Sequence, residues 1–211
     1  MESVVKLIEE IHKSNPNCEV ICASKGHSLA ELTEIKAKAG IEVFGENRVQ
    51  ELLDKYDSSL TWDFIGQLQT NKAKYIIDKV RLIHSVDREN LAVEIDKEAR
   101  KRGKVQRVLI EVNSGDEANK GGISVGNVTD FYKTLQKYPS IEVVGIMAVA
   151  PLNVGREELK RLFTAVKNAY DGLRELCSKI TVLSMGMSGD YETALECGSN
   201  LLRLGRIMFR N

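Results

Sequence analysis

The chain has 211 residues, 43% of them hydrophobic and 28% charged, enough for one sizeable globular core. Thirty Lys+Arg balance thirty Asp+Glu, so electrostatics give no reason to expect a nucleic acid or an anionic membrane as partner. No apolar run approaches the ~20 residues of a membrane helix, and the amphipathic start "MESVVKLIEEIHKSN" does not read as a signal peptide, so a cytoplasmic location is expected.

In chain order, the pattern predicts a helix over 3–13, then the strand "EVICAS". Ser28 and Glu31 form a capping box opening a helix with Leu29, Leu32 and Ile35 on one stripe. Further strands follow at "IEVF", "WDFIG", "RLIHSV", "VQRVLIEVN", "IEVVGIMAVA", "ITVLSM" and "NLLRLGRIMF". Helices are predicted between them over 88–102 (Leu91, Ile95, Ala99), 127–137 (Val128, Phe131, Leu135, stopped by Pro139) and 155–178 (Leu159, Leu162, Phe163, Val166, Tyr170, Leu173). The strands are rich in Val, Ile and Leu with little alternation, as in parallel sheets covered on both faces. Eight strands alternating with helices predict an α/β fold, a single (β/α)8 TIM barrel over 1–211. An open doubly wound sheet is the rival, weakened because no G-x-G-x-x-G follows a strand. The helix over 3–13 is expected to cover the gap after the eighth strand, which no helix follows.

Cys18, Cys22, Cys177 and Cys197 show no C-x-x-C pair and read as free thiols of a reducing compartment. His12, His27 and His84 have no metal-ligand spacing, so no metal is expected.

In a barrel, function gathers at the C-terminal ends of the strands. There the seventh strand enters "SMGMSGD" and the eighth becomes "RLGR". Glycine loops after these two strands form a common phosphate site. Taken singly, "SGD" is also an N-cap and Gly205 also a tight bend. Lys25 ends the first strand, either snorkelling to water or serving as a partly buried amine with a lowered pKa. A nucleophilic amine on one strand and a phosphate cradle across the barrel fit pyridoxal 5′-phosphate (PLP). Glu46 with Arg48 reads as an ion pair or as part of the pocket. "RKRGK" (100–104) suits a helix C-terminus or a short nucleic-acid patch, and "DEANKGG" (116–122) is a connection or a mobile loop over the mouth.

"ICASKGHS", "FGENRVQEL", "WDFIGQLQTNK", "IHSVD", "VNSGDEANKGG", "GIMAVAP", "LSMGMSGDYETAL" and "LLRLGRIMF" together resemble the pyridoxal phosphate homeostasis protein family over essentially the whole chain. The resemblance implies the barrel of the alanine racemase N-terminal domain, fold type III, without the racemases' C-terminal β-domain. It implies PLP held as a Schiff base on Lys25 and its phosphate held by Ser188, Gly189, Gly205 and Arg206. Arg203 would face the pyridine nitrogen, with Asn47 and Met185 lining the ring pocket; His84 is either a further pocket residue or packing. Such a protein would store, deliver or buffer PLP, with PLP-dependent apoenzymes as candidate recipients. A monomer is expected, since the dimerising β-domain is missing. Arginine donates only, so it disfavours a protonated ring nitrogen and strong carbanion chemistry. No tyrosine suggests itself as the racemases' second base. Two other readings remain: a weak racemase or other fold type III enzyme, and an aldolase-like barrel forming a Schiff base with a sugar.

Overall fold

A computed structural model describes residues 2–115, 117 and 120–209. Eight parallel strands close on themselves: β1 (Glu19–Ala23), β2 (Val43–Glu46), β3 (Thr61–Phe64), β4 (Leu82–Val86), β5 (Gln106–Asn113), β7 (Ile141–Ala148), β8 (Val182–Ser184) and β9 (Leu201–Leu204). Pairing of β4 with β5 completes the ring, Leu82 facing Arg107 and Ile83 facing Val108. The two-residue strand β6 (Ile123–Ser124) only extends the end of β5. The barrel is the predicted one, and the open-sheet rival is excluded by the β4–β5 closure.

The helices form the outer layer. They are α1 (Glu2–Ser14), α2 (Leu29–Ala39), α3 (Val49–Lys55), α4 (Glu89–Lys101), α5 (Val128–Leu135), α6 (Arg156–Leu176) and α7 (Tyr191–Glu196). A 3-10 turn, Thr70–Tyr75, takes the place of a helix after β3. The predicted stripes are the buried ones: Leu91, Ile95 and Ala99 on α4, and Leu159 through Leu173 on α6. At the start of α2 the Ser28 backbone N–H donates to Glu31 Oε2 at 2.8 Å and the Glu31 N–H returns to Ser28 Oγ at 3.4 Å, so the capping box is present. As expected, α1 covers the β9–β1 seam. It buries Val4, Leu7 and Ile11, touches α2, and faces Tyr191 and Ile207 across a shallow cleft. Asn15 Nδ2 ties its end to Ser199 O at 3.2 Å.

Inside the ring, alternate residues point inward. Leu82, Leu109, Val144 and Met147 fill one layer, and Ile21, Val43 and Leu201 another. The interior also carries a line of polar side chains, which reaches the site. All four cysteines are free thiols, Cys18 and Cys22 buried. Among the described residues no helix is long and apolar enough to cross a membrane, and no cluster of His, Cys, Asp or Glu could hold a metal ion.

Candidate functional site

A cavity of about 480 Å³ opens at the C-terminal ends of β1, β7, β8 and β9. Its wall includes Ala23, Ala150, Met187, Ser188, Gly189, Asp190, Arg203, Gly205 and Arg206. Five of the predicted site residues, Ser188, Gly189, Arg203, Gly205 and Arg206, are thus brought together.

Arg203 points inward from β9 and is almost wholly buried. Its Nη1 donates to Ser184 O at 3.0 Å and to Ser184 Oγ, and its Nη2 to Ala148 O at 2.9 Å. Nε–H and one Nη2–H remain for the cavity. Burial pushes its pKa down to about 10, with Asp190 and Glu111 opposing, so it stays charged at neutral pH.

Behind Arg203 runs the polar line. Ser184 Oγ lies 3.4 Å from His84 Nδ1, and His84 Nε2 donates to Asp63 Oδ2 at 3.1 Å. Arg81 donates to both Asp63 oxygens at 3.0 and 2.7 Å and, at the barrel base, to both Glu19 oxygens at 2.6 and 2.9 Å. With His84 neutral, its proton sits on Nε2 facing Asp63, and Nδ1 accepts from Ser184. Burial drives the imidazole pKa down, as that neutral state requires. The Asp63 carboxyl lies below the ordinary range although burial raises it, because His84 and Arg81 bind the charged form. His84 therefore lies behind the cavity wall as a bonded core group.

The glycines at the exits of β8 and β9 behave differently from one another. The Gly205 and Ile207 amides converge on Ser188 Oγ at 3.2 and 3.4 Å, marking a cradle of backbone donors beside the Ser188 hydroxyl. A Cβ on Gly189 would meet nothing, whereas at Gly186, with φ +99°, one would fall 2.7 Å from the Ala194 methyl, so Gly186 is the glycine this loop requires. Asp190 shares the wall, and burial raises its carboxyl pKa, which favours the neutral acid beside an anion.

Three expectations are corrected. Met185 is fully buried in the layer between barrel and helices, because alternation along β8 turns Ser184 inward and Met185 outward; Met187 lines the cavity instead. Of the two readings open for Lys25, the exposed one, reaching out to water, holds and the partly buried one does not. Lys25 stands in a turn after β1, with Gly26 at φ +77°, and is not among the cavity-lining residues. Glu46 pairs with Lys55 at 2.6 Å, not with the Arg48 side chain, which reaches Glu51 at 3.2 Å. Asn47, half-buried at the exit of β2, also stands outside the cavity wall, its carbonyl pressed against Gly66.

The Glu46–Lys55 pair explains why the Lys25 turn is fixed. Lys55 Nζ donates to Ser24 O at 2.6 Å and to His27 O at 3.2 Å, the carbonyls on either side of Lys25 and Gly26. Ser24 Oγ donates to Glu46 Oε2 at 2.8 Å, and Gly26 N–H to Glu51 at 3.2 Å. His27 stacks on Phe209 with ring centroids 3.3 Å apart. Among the described residues no acid pairs with Lys25, so a mobile amine stands on a rigid base.

Sequence reading misses Ser184, Asp63, Arg81, Lys55 and Glu111. For Asp63, Glu111 and Ser184 the signal is the same in kind: a polar or charged residue inside an apolar strand, as in "TWDF" and "VLIEV", is expensive to bury and calls for a partner, whereas Lys55 on α3 and Arg81 ahead of β4 carry no such signal. Asp116, Ala118 and Asn119 of the "DEANKGG" loop lie outside the described residues.

A closed barrel with a turn-borne lysine after the first strand and amide-lined turns at the last two defines the class: it is the barrel of alanine racemases. Residues 4–210 match the family model described as alanine racemase, N-terminal domain. Alanine racemase of Clostridium difficile 630 shares this fold, with a TM-score of 0.81 at 17% identity over 100% of this chain and 57% of that one. Within that class the chain belongs to the pyridoxal phosphate homeostasis protein family. The pyridoxal phosphate homeostasis protein of Aquifex aeolicus is 40% identical over 99% of this chain and 96% of its own length. PipY of Synechococcus elongatus PCC7942 superposes with a TM-score of 0.89 at 30% identity without PLP, covering 98% of this chain and 100% of that one. With PLP bound its TM-score is 0.84 at 29% identity, over the same shares of the two chains.

Proposed function

We propose that this chain binds PLP at the mouth cavity, as a Schiff base on Lys25, and serves PLP homeostasis by holding and releasing it. The observation that carries the reading is the convergence of the Gly205 and Ile207 amides on the Ser188 hydroxyl, beside the spare donors of Arg203 and at the exit of β9, the strand paired with β1, so that the Lys25 turn is its neighbour on the rim and does not lie across the barrel from it. The volume of about 480 Å³ falls within the ~300–1,000 Å³ of ordinary cofactor pockets.

PLP, when bound, supplies an aldehyde for amines and a conjugated ring that accepts electrons. The chain's own groups divide the work. Ser188, Gly189, Gly205 and Arg206 bind the phosphate. Arg203, anchored by Ser184 and Ala148, offers a charged donor to the ring nitrogen and keeps a proton off it. Lys25 gives the amine, and the Lys55–Glu46 pair fixes its turn. Asn47 stands at the rim of the ring. The protein acts in the cytoplasm as a monomer and hands PLP to apoenzymes.

Titration with PLP should give a visible absorbance band that borohydride bleaches, with the label on Lys25. Lys25→Ala should abolish the label and speed PLP loss at least tenfold. Unchanged retention in Lys25→Ala would sink the Schiff-base reading.

A further inference from the structure

Beside the first cavity lies a second, of about 310 Å³, lined by Gln67, Glu111, Val112, Asn113, Lys120, Gly121 and Val149. The two meet at the exit of β7, where Val149 lines one and Ala150 the other. Nothing assigned above to PLP uses it. Glu111 reaches it from β5, with one carboxylate oxygen, Oε2, buried and without a hydrogen-bond partner among the described residues. A buried carboxylate without a donor is costly, and a ligand cation relieves that cost.

The other charged groups of the lining, and Asn113, are already matched. Asn113 Nδ2 donates to Glu117 O at 2.9 Å, and Asn113 Oδ1 accepts from Glu117 N at 3.1 Å. Lys120 pairs with Glu117 at 2.5 Å. At the rim, Asp87 Oδ1 pairs with Arg88 at 2.5 Å and Asp87 Oδ2 accepts from Gly122 N at 3.2 Å. Gln67 lies against Gly121, where only a glycine leaves it room. Val112 and Val149 give an apolar wall. The unmatched group is thus the Glu111 anion, in a small space with one apolar side.

The geometry points to a subsite for the ammonium of a small primary amine, such as an amino acid, held by Glu111 beside the PLP site. The inference rests on the reading of the first cavity as that site. It adds a route of release. The ammonium would give one proton to the Glu111 carboxylate, and the free amine would add to the imine carbon. The added nitrogen would pass a second proton to the Lys25 nitrogen and Glu111 would return the first, so that Lys25 leaves as the free amine and the new imine keeps one proton. One C–N bond forms, one breaks, and no oxidant or reductant is needed. Asp87, Arg88, Lys120 and Arg203 face Glu111 from the neighbouring elements, and His84 behind them is neutral. Burial and Asp87 push the Glu111 pKa up to about 7, so the group can take up and return a proton near neutrality.

The test begins without PLP. Propylammonium should bind the apo full-length chain by calorimetry, with 1-propanol as the uncharged control. Only ionised Glu111 binds the cation, so affinity should rise about tenfold from pH 6 to pH 8. Glu111→Gln should remove the binding, and Val149→Phe, which fills the cavity and keeps the acid, should weaken it at least tenfold. Equal affinity for 1-propanol, no rise with pH in the unaltered chain, or unchanged binding in both variants would overturn the subsite. With PLP loaded, propylamine should speed its release, and Glu111→Gln should cut that increment at least tenfold. An unchanged increment would overturn the route. The apo arm does not involve PLP, so its failure is distinguishable from failure of the PLP reading.

Discussion

Glu111 also makes a prediction about stability. Its pKa rises from 4.5 to about 7 through burial first and Asp87 second, against Arg203 and Arg88. Between those two values the folded chain keeps a proton that the unfolded chain has released. Stability therefore falls as pH rises through this window, and the deficit is complete above pH 7, at about 2–3 kcal/mol. Glu111→Gln never ionises and should escape it. Urea unfolding should find variant and parent within about 0.5 kcal/mol at pH 4.5 and the variant ahead by about 2 kcal/mol at pH 8; a constant gap would show that Glu111 does not titrate as described. At this scale the sequence is partly legible. Arg203, Gly205 and Ser188 stand out because polar residues end strands there. Lys25 stands out too, but the choice between its two readings does not, because the turn at Gly26 depends on the φ +77° that carries it off the strand.

The glycines tell an element-scale story. Gly145 lies where β7 approaches β8 in register with Val182, and a Cβ there would fall 1.8 Å from Val182 O. A backbone oxygen cannot swing aside, so Gly145→Ala must part the two staves. It should cost at least about 2 kcal/mol in urea unfolding. Gly189→Ala meets nothing and should stay within about 0.5 kcal/mol, separating a glycine kept for packing from one free for a ligand's approach. Equal losses at both would refute that division. Neither role shows in the sequence, since both depend on which strand becomes the neighbour. What the sequence does carry is the order of strands and long helices, written in apolar runs and in the stripes of α4 and α6. Edges shift where a rim residue is apolar without pairing: "IEVF" spans 41–44, while β2 is Val43–Glu46. The prediction for the last strand runs to 209, but the chain turns out of the sheet at Gly205. The seven-residue α3 buries only Val49 and Leu52, too few to write a period.

Across the whole molecule, the polar line from Glu19 to Arg203 threads an otherwise apolar barrel from base to mouth. Every contact in it has one donor and one acceptor, so its ends are linked: a charge removed at the base changes what His84 must do beneath the mouth. Arg81 is the hinge of the line, since it alone supplies Asp63 with a full positive charge while His84 is neutral. Arg81→Leu leaves a fully buried carboxylate with only an imidazole for a partner. The Arg81 side chain is itself partly exposed, so the loss should be about 2–4 kcal/mol rather than the full penalty of a dry ion. Asp63 would then hold a proton or draw one onto His84. Either way, the folded chain binds a proton at a pH where the parent does not, and stability in the variant should decline more steeply from pH 6 to pH 8 than in the parent. Replacing both charges, Asp63→Leu with Arg81→Leu, removes the orphaned anion and should recover at least half of the single variant's loss. Urea unfolding of the parent and the two variants across that pH range measures all of these. If the double variant is no more stable than Arg81→Leu alone, or if the pH slope does not change, the interior line is a set of independent contacts with no bearing on Arg203.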